Sequence, residues 1–441
     1  MKTPIYDFAR EYAESGAVRF HMPGHKGRGA LGAEALDITE IFGADDLFSP
    51  DGIIAESEAN AAGIFGAAQT LYSTEGSTLA IKTMLRLTVA DGGKRILATR
   101  AAHKAFLHAA ALLDLDIEWL YPEEDTHLCD GRVSADSVDR ALSDGGYSAV
   151  YITSPDYLGN TVDIAEIARV CHTRGVKLLV DNAHGAYLAF LKPSRHPIAL
   201  GADMCCDSAH KTLPVLTGGA YLHIAASPDG HTRRSAKRAM ALFASSSPSY
   251  LVLESLDVCN ARLSGTYPEE LSACIDRIDR VKAEIAALGY EVRESEPLKI
   301  VISPLSYGYT GEELMQYLRE NNIHIEFYDR ELVVLMATPD NYPSDFHYLR
   351  QKLAELKIRE PIARELIAIP KARRVLSPRT AAFAERELIP VTESVGRICA
   401  EAAVSCPPAI PIVAIGEEIS ADAAELFKKY DIHEIEVVKN A

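Results

Sequence analysis

The sequence predicts an α/β fold with a mostly parallel sheet in a large domain, followed by a smaller α+β C-terminal region. Between residues 77 and 225, short β-branched apolar runs alternate with amphipathic stretches, which is typical of βαβ units around a buried sheet. Beyond Tyr250 this alternation is replaced by long helical stretches with two separate strand-like runs. The chain of 441 residues, 48% of them hydrophobic, is long enough to bury more than one core.

The elements follow in order along the chain. A helix is expected over 77–90, where Ser77 and Thr78 are candidate capping residues. Strands are expected at 95–99, 116–121, 149–153, 176–180, 203–206 and 220–224, with helices at 103–113 and 164–174. In the second part, helix fills 251–288 apart from a pause at 265–269, and strands at 299–304 and 332–336 flank a helix at 311–321. Ligands of parallel sheets bind where strands end, so polar residues just past each strand are the candidates for function.

Composition excludes several classes of protein. Asp and Glu number 62 against 45 Lys and Arg, a net charge of -17, which argues against nucleic acid or an anionic membrane as a partner. The acidic balance is compatible with a cationic ligand, although solubility is the simpler explanation. The first twenty residues are charged throughout, and no apolar run approaches the length of a membrane span. Eight cysteines are too sparse for a disulfide framework and lack metal-site spacing, so we expect a cytoplasmic enzyme without a metal.

Two strand ends carry an acid and a lysine. Asp181 directly follows one predicted strand, and Lys211 lies 30 residues further on, just past the next strand. Pyridoxal phosphate (PLP) enzymes need both groups, because the lysine binds the cofactor covalently and the carboxylate keeps the pyridine nitrogen protonated. The sequence therefore indicates a PLP site at this edge of the sheet.

A phosphate site and a ring-stacking residue complete the pattern. Gly76 and Ser77 open a helix, where free N–H groups and hydroxyls suit an anion, and His103 follows the strand at 95–99. Each feature has an ordinary structural explanation by itself, as a turn, a helix cap or a buried histidine. Their combination at the loop ends of one sheet is much more specific than any of its parts.

These motifs resemble the ornithine/lysine/arginine decarboxylase family of fold type I PLP enzymes. Ser208-Ala209-His210-Lys211 resembles the Ser-x-His-Lys motif of that family, and the segment 181–186 is similar to its Asp-Glu-Ala-His-Gly-Ala. Further matches are His21-Met22-Pro23-Gly24-His25-Lys26, Asp45-Asp46-Leu47, Ser154-Pro155, Gly159, Ser247-Pro248-Ser249-Tyr250 and Leu376-Ser377-Pro378-Arg379. They extend from about residue 20 to 416. The extra N-terminal wing domain of the long bacterial members is missing, so the chain resembles a short form.

The resemblance implies a role for each matching residue. Lys211 is expected to hold PLP and to manage proton transfer at the substrate carbon, and Asp181 to pair with the pyridinium. His103 is expected to stack on the ring, with His184 beside the cofactor. The residues expected to hold the phosphate are Gly76, Ser77, Ser208, His210 and, from the neighbouring subunit, Ser247.

The implied reaction is decarboxylation of a basic amino acid, arginine first and then lysine or ornithine, as in polyamine biosynthesis. A basic side chain should meet a carboxylate, and Glu326 matches the place of a family acid, with Asp329 in reserve. A solvated acidic turn is the equally simple alternative for these two residues. Active sites in this fold type are shared between subunits, so a homodimer or a dimer of dimers is expected.

Three positions depart from the family pattern. Asn182 replaces the usual Glu, Glu75 replaces an Asn, and Thr217-Gly218-Gly219 replaces Thr-Gln-Ala. Two alternatives stay open for this reason: another PLP reaction, namely transamination or β-elimination, or a non-catalytic regulatory protein that retains PLP. A transaminase would need an arginine for the substrate carboxylate, for which Arg379 is the late candidate.

The predicted domain organisation has four parts. Residues 1–60 form an N-terminal arm, 61–265 a PLP-binding large domain, 266–370 a small α+β domain and 371–441 a C-terminal region of the decarboxylase family.

Overall fold

The computed structural model describes residues 1–89, 92–122, 127–226, 231–364, 369–401 and 409–439. The helices are α1 (Pro4–Glu14), α2 (Ile53–Phe65), α3 (Gly76–Val89), α4 (Lys104–Leu113), α5 (Ala135–Leu142), α6 (Ile164–Thr173), α7 (Ala209–Thr212), α8 (His231–Ala241), α9 (Tyr250–Leu263), α10 (Tyr267–Ala287), α11 (Gly311–Glu320), α12 (Pro343–Glu355), α13 (Pro378–Ala382) and α14 (Ala421–Lys429). The strands are β1 (Gln69–Ser73), β2 (Arg95–Thr99), β3 (Asp116–Leu120), β4 (Ala149–Thr153), β5 (Lys177–Asp181), β6 (Met204–Asp207), β7 (Ala220–Ile224), β8 (Glu291–Arg293), β9 (Lys299–Ser303), β10 (Phe327–Tyr328), β11 (Val333–Met336), β12 (Arg386–Pro390) and β13 (Glu434–Val438).

The main sheet has seven strands in the order β1-β7-β6-β5-β4-β2-β3. Strands β5 and β6 are parallel, with Asp181 opposite Cys206, whereas β7 runs antiparallel to both β6 and β1. All residues of β6 and β7 are buried, as expected of strands that are covered on both faces. The predicted α/β class with a mostly parallel sheet is confirmed.

One compact unit comprises residues 1–95, 139–152 and 163–269. The interiors of β5 and β6 are apolar, and the two strands end in Asp181 and Asp207, so their buried polar side chains come at the strand ends. Helix α3 begins at Gly76, one residue before the predicted start, so Ser77 lies inside its first turn. Helix α6 begins as local chemistry predicts, since the Asp163 side chain accepts a hydrogen bond from the Glu166 amide.

The second unit comprises residues 96–138, 153–162 and 270–441. It contains an antiparallel sheet in the order β10-β11-β9-β8 and the separate antiparallel pair β12-β13. Val301, Val334, Ile412 and Phe427 lie in its core and are almost completely buried. The predicted strands at 299–304 and 332–336 correspond to β9 and β11, which are neighbours in this sheet.

Two further features concern membrane-spanning helices and cysteine pairing. In the described parts of the chain, no helix is both long and apolar enough to cross a bilayer. The seven cysteines within those parts are all buried, and none of them forms a disulfide.

Candidate active site

Lys211 and His184 meet at the open ends of two neighbouring strands. Lys211 lies in α7, directly after β6, and His184 follows β5. The Lys211 Nζ is 3.1 Å from the His184 Nε2, at hydrogen-bond distance. His184 is almost fully buried, with 4% of its surface exposed, whereas Lys211 is partly accessible. The amine is therefore held against an imidazole while it stays open to a ligand.

Asp181 is the last residue of β5 and is held by neighbouring donors. The Tyr151 hydroxyl, from β4, donates to its Oδ2 at 3.0 Å, and the Ala183 amide donates to its Oδ1 at 3.2 Å. Burial, together with the negative charge of Asp181, raises the pKa of the Tyr151 hydroxyl well above its ordinary value, so this tyrosine stays a donor. Nothing in the sequence separated Tyr151 from an ordinary core tyrosine, and this contact was not predicted.

Two hydroxyls meet at the start of α3. Ser77 lies in the first turn of α3 and Ser208 precedes α7, and their Oγ atoms are 2.7 Å apart. Gly76 has a φ of 66°, a conformation that favours glycine, and its amide donates to the Gly218 carbonyl at 2.7 Å. A Cβ at residue 76 would lie 3.9 Å from the His210 Cε1, so the imidazole lies beside this turn. Hydroxyls and a helix N-terminus form a donor set that suits a phosphate.

His210 is oriented by its own loop. Its Nδ1 is 2.9 Å from the Gly219 carbonyl oxygen, so Nδ1 carries the proton and donates. Burial lowers the pKa of His210, and the positive charge of Lys211 lowers it further. In the neutral ring Nε2 therefore has no proton, and a phosphate oxygen bound there would require the imidazolium.

The three departures from the family pattern have local explanations. The Glu75 Oε1 accepts a hydrogen bond from the Ser245 amide at 2.8 Å, and the Asn182 Nδ2 donates to the Asp207 Oδ1 at 2.6 Å. Gly218 has a φ of 99°, and a Cβ at Gly219 would lie 2.2 Å from the Val215 Cγ1. Each of these residues is thus adapted to its immediate neighbours.

Ser247, the remaining residue predicted to contact phosphate, is exposed in the single chain. Its amide donates to the Ser245 Oγ at 3.2 Å. An exposed hydroxyl is accessible to a second subunit, as the sequence prediction for this residue requires.

The other predicted site residues belong to the second unit. His103 precedes α4 as its N-cap, and its Nδ1 accepts a hydrogen bond from the Ala105 amide at 3.1 Å. Glu326 is exposed, and its Oε1 accepts a hydrogen bond from the Tyr157 hydroxyl at 2.5 Å. Glu326 also lines a cavity of about 230 Å³ together with Arg319. Tyr157 was not singled out from the sequence, because its partner is 169 residues away.

The Asp329 carboxylate is hydrogen-bonded to neighbours within the second unit. Its Oδ2 is 2.6 Å from the His127 Nε2, and its Oδ1 accepts hydrogen bonds from the amides of Glu331 and Leu332. Burial alone would raise the pKa of Asp329, but the hydrogen bond from His127 lowers it overall. Both oxygens of this carboxylate therefore have partners within the fold.

The donor set of the first unit fits PLP. Lys211 supplies an amine, Asp181 a buried carboxylate, and the turn between β1 and α3 supplies hydroxyls and free amides for a phosphate. Together with the sheet, these features define a fold type I PLP enzyme.

Comparison with known proteins identifies the family. Residues 3–305 match the family model described as Orn/Lys/Arg decarboxylase, major domain. The chain belongs to this family and is a PLP-dependent amino-acid decarboxylase. It is 30% identical to an arginine decarboxylase of Bacillus subtilis, over 98% of this chain and 94% of the relative. It is also 30% identical to an arginine decarboxylase of Halalkalibacterium halodurans, over 95% of this chain and 91% of the relative.

Solved structures show the same fold. A lysine decarboxylase of Francisella novicida superposes with a TM-score of 0.82 at 17% identity, over 99% of this chain and 81% of that one. The constitutive lysine decarboxylase of E. coli gives a TM-score of 0.81, also at 17% identity, over 99% of this chain and 82% of that one. At this level of identity the likeness concerns the fold, which agrees with the predicted fold type I architecture.

Proposed function

We propose that this enzyme decarboxylates a basic amino acid, arginine first and then lysine or ornithine, to the corresponding amine and carbon dioxide. The observation that carries PLP chemistry is the position of Asp181 at the end of β5 and of Lys211 just past β6, its parallel neighbour. Decarboxylation is supported by the match of residues 3–305 to the decarboxylase family. The choice of arginine is supported by the curated relatives that carry this activity in their names.

Four residues are assigned to the cofactor ring and the reacting carbon. Bound PLP supplies an electron sink for the electron pair left at the substrate α-carbon when carbon dioxide departs. Asp181 keeps the pyridine nitrogen protonated, and the hydrogen bond from Tyr151 orients its carboxylate for this task. Lys211 holds the cofactor and later delivers a proton to the α-carbon. His184 positions the Lys211 amine through their 3.1 Å contact, and His103 is assigned to ring stacking.

The phosphate is assigned to the turn between β1 and α3. The Ser77 and Ser208 hydroxyls and the amides that follow Gly76 donate to its oxygens, and His210 contributes as the imidazolium. Ser247 is assigned to the phosphate of the neighbouring subunit, so the enzyme is a homodimer or a dimer of dimers with shared active sites. The exposure of Ser247 supports this arrangement.

Of the two substrate candidates, the contacts favour Glu326. Its carboxylate is exposed and oriented by Tyr157, so it can accept hydrogen bonds from a guanidinium or ammonium group. Asp329 is the weaker candidate, because His127 and two backbone amides already occupy its oxygens.

The contacts also weigh against the two alternative functions. One of the five guanidinium donors of Arg379 binds the Leu112 carbonyl at 3.0 Å, which holds the arginine that transamination would need against α4. Glu75 and Asn182, the best support for a non-catalytic protein, have structural partners within their own unit. The absence of disulfides among the described cysteines suits a reducing compartment, which supports a cytoplasmic location.

The test is a panel of amino acids scored for amine product and carbon dioxide. Purified holoenzyme should act fastest on arginine, and a yellow protein inert to arginine, lysine and ornithine would favour the non-catalytic alternative. Lys211→Ala should abolish the near-visible absorbance of covalently bound PLP and lower kcat by at least about a thousandfold. Lys428→Ala, at an exposed position in α14, is the matched control and should behave as wild type. Retention of the absorbance band in Lys211→Ala would show that a different lysine holds the cofactor.

Glu326→Gln tests the substrate assignment separately. Losing a charged hydrogen bond to the basic side chain should raise KM for arginine by about tenfold or more, with a smaller effect on kcat. An unchanged KM would remove Glu326 from the substrate site and leave the cofactor assignments untouched.

A further inference from the structure

A fully buried cluster of two histidines and one aspartate lies in the first unit. Asp207 ends β6, His223 lies in the neighbouring strand β7, and His196 precedes β6. All three side chains are completely buried. The Asp207 Oδ2 is 3.0 Å from the His196 Nε2 and 3.2 Å from the His223 Nε2. The Phe65 ring covers the cluster, with its centroid 4.4 Å from that of His223.

The hydrogen bonds assign one negative charge to this cluster. The ionised Asp207 carboxylate can only accept, so His223 donates to it from Nε2, and the Nδ1 of the neutral ring accepts from the Thr70 hydroxyl 2.8 Å away. Burial lowers the pKa of His223, which keeps the ring neutral. Burial alone would raise the pKa of Asp207, but the two histidines lower it well below its ordinary value. Asp207 is thus a buried carboxylate that its neighbours hold in the ionised form.

The third donor to Asp207 comes from the strand end that carries Asp181. The Asn182 Nδ2 donates to the Asp207 Oδ1 at 2.6 Å, and the Asn182 amide donates to the Cys206 carbonyl at 3.0 Å. Asn182 is adjacent to Asp181, and Asp207 is adjacent to Ser208. One side-chain bond therefore ties together the loops that carry the carboxylate and the phosphate-binding hydroxyl.

The loop around Asn182 is shaped for this bond. A Cβ at Gly185 would lie 2.0 Å from the Asn182 Oδ1, so only glycine leaves room for the amide. A carboxylate at position 182 would face the ionised Asp207 at the same distance, which is strongly unfavourable in a buried site. This repulsion explains why an amide occupies the position where the family pattern has an acid.

We propose that Asp207, held ionised by His196 and His223, is a positioning residue that sets the geometry of the cofactor site through Asn182. It touches neither substrate nor cofactor. Its effect is to fix the ends of β5 and β6, from which Asp181, Ser208 and Lys211 extend. The proposal rests on the roles assigned to these residues above, and its test uses cofactor binding so that it does not depend on the substrate.

The experiment compares Asn182→Asp, Asp207→Asn and the double variant that exchanges the acid and the amide. Each single variant should raise the dissociation constant for PLP at least about tenfold, because the bond between the two loops is lost. The double variant restores an acid–amide bond and should recover most of the lost affinity, a rescue that a role in packing alone would not produce. Binding is measured by absorbance titration of the apoprotein, with thermal melting to check folding.

A milder variant keeps the test decisive if the others fold poorly. Asn182→Ala removes the amide but leaves Asp207 with its two histidines, so PLP affinity should fall by a similar factor. ¹⁵N NMR of histidine-labelled protein should show the His223 ring neutral and protonated at Nε2 near neutral pH, in the wild type and in Asn182→Ala.

Three results would overturn the proposal. The first is PLP affinity within about threefold of wild type in the folded single variants and Asn182→Ala. The second is a double variant that binds no better than the weaker single variant. The third is a stoichiometric metal ion in the purified enzyme, since it would replace the Nε2 protons on which the positioning argument depends.

Discussion

Gly218→Ala should disturb the phosphate turn, although residue 218 is assigned no contact with the cofactor. Gly218 has a φ of 99°, and an added Cβ would lie 2.8 Å from the Thr74 carbonyl oxygen. The Gly218 carbonyl in turn accepts the hydrogen bond from the Gly76 amide. The substitution therefore strains the backbone and pushes against the turn that precedes Ser77.

The magnitude follows from two contributions. A non-glycine residue in the left-handed region costs about 1–2 kcal/mol. Moving the Thr74 carbonyl by a few tenths of an ångström adds about 1 kcal/mol, for a total of about 2–3 kcal/mol. For a unit of this size, that loss corresponds to a decrease in Tm of roughly 5–10 °C. Because the displaced turn carries Gly76 and Ser77, PLP affinity should fall about tenfold as well.

The assay is thermal melting of the apoprotein together with PLP titration. Gly92→Ala is the matched control, because Gly92 has a φ of 92° and a Cβ there would meet no atom within 4 Å. The control should lose only the backbone contribution and bind PLP as wild type does. Equal melting and equal PLP affinity in the two variants would refute the role of the contact with Thr74.

Two further predictions concern buried charges. Burial, with Asp37 nearby, raises the pKa of Glu254 to about 8 from an ordinary value of 4.5. The free energy of unfolding therefore falls as the pH rises from 4.5 to about 8, because Glu254 ionises less readily in the folded protein than in the unfolded chain. Glu254→Gln should match wild type at pH 4.5 and be more stable by up to about 5 kcal/mol above pH 8, measured by melting. Arg100→Met should cost about 3–5 kcal/mol, because it leaves Glu417 buried without its cation at 3.8 Å. Fluorescence of Trp119, the single tryptophan, which donates to Glu417, reports this unfolding.

Controls separate these effects from general perturbation. Glu312→Gln, at an exposed position in α11, should leave the pH dependence of melting unchanged. A Glu254→Gln protein whose advantage did not grow with pH would contradict the titration argument. Combining Arg100→Met with Glu417→Gln should recover part of the lost stability, and a strictly additive double variant would show that the two charges do not interact.

Much of the fold could be predicted because its information is local. The alternation of apolar strands and amphipathic helices predicts the large α/β sheet, and the elements begin and end within a few residues of the expected positions. Strand β1 and the pair β12-β13 were not predicted. Their pairing partners lie far along the chain, and a short apolar run does not reveal which strand it joins.

The candidate site, like the fold, could be predicted from the sequence only in part. By itself, the sequence determined that Asp181 and Lys211 follow successive strands, because the motifs and the apolar runs before them are continuous segments. Only the tertiary structure decided what orients them. The Tyr151 hydroxyl contacts Asp181 from the neighbouring strand β4. Asn182, just past β5, contacts Asp207 at the end of β6, 25 residues further along the chain. A hydrogen bond depends on the position of both partners, and side chains on different strands come together only when the sheet has formed.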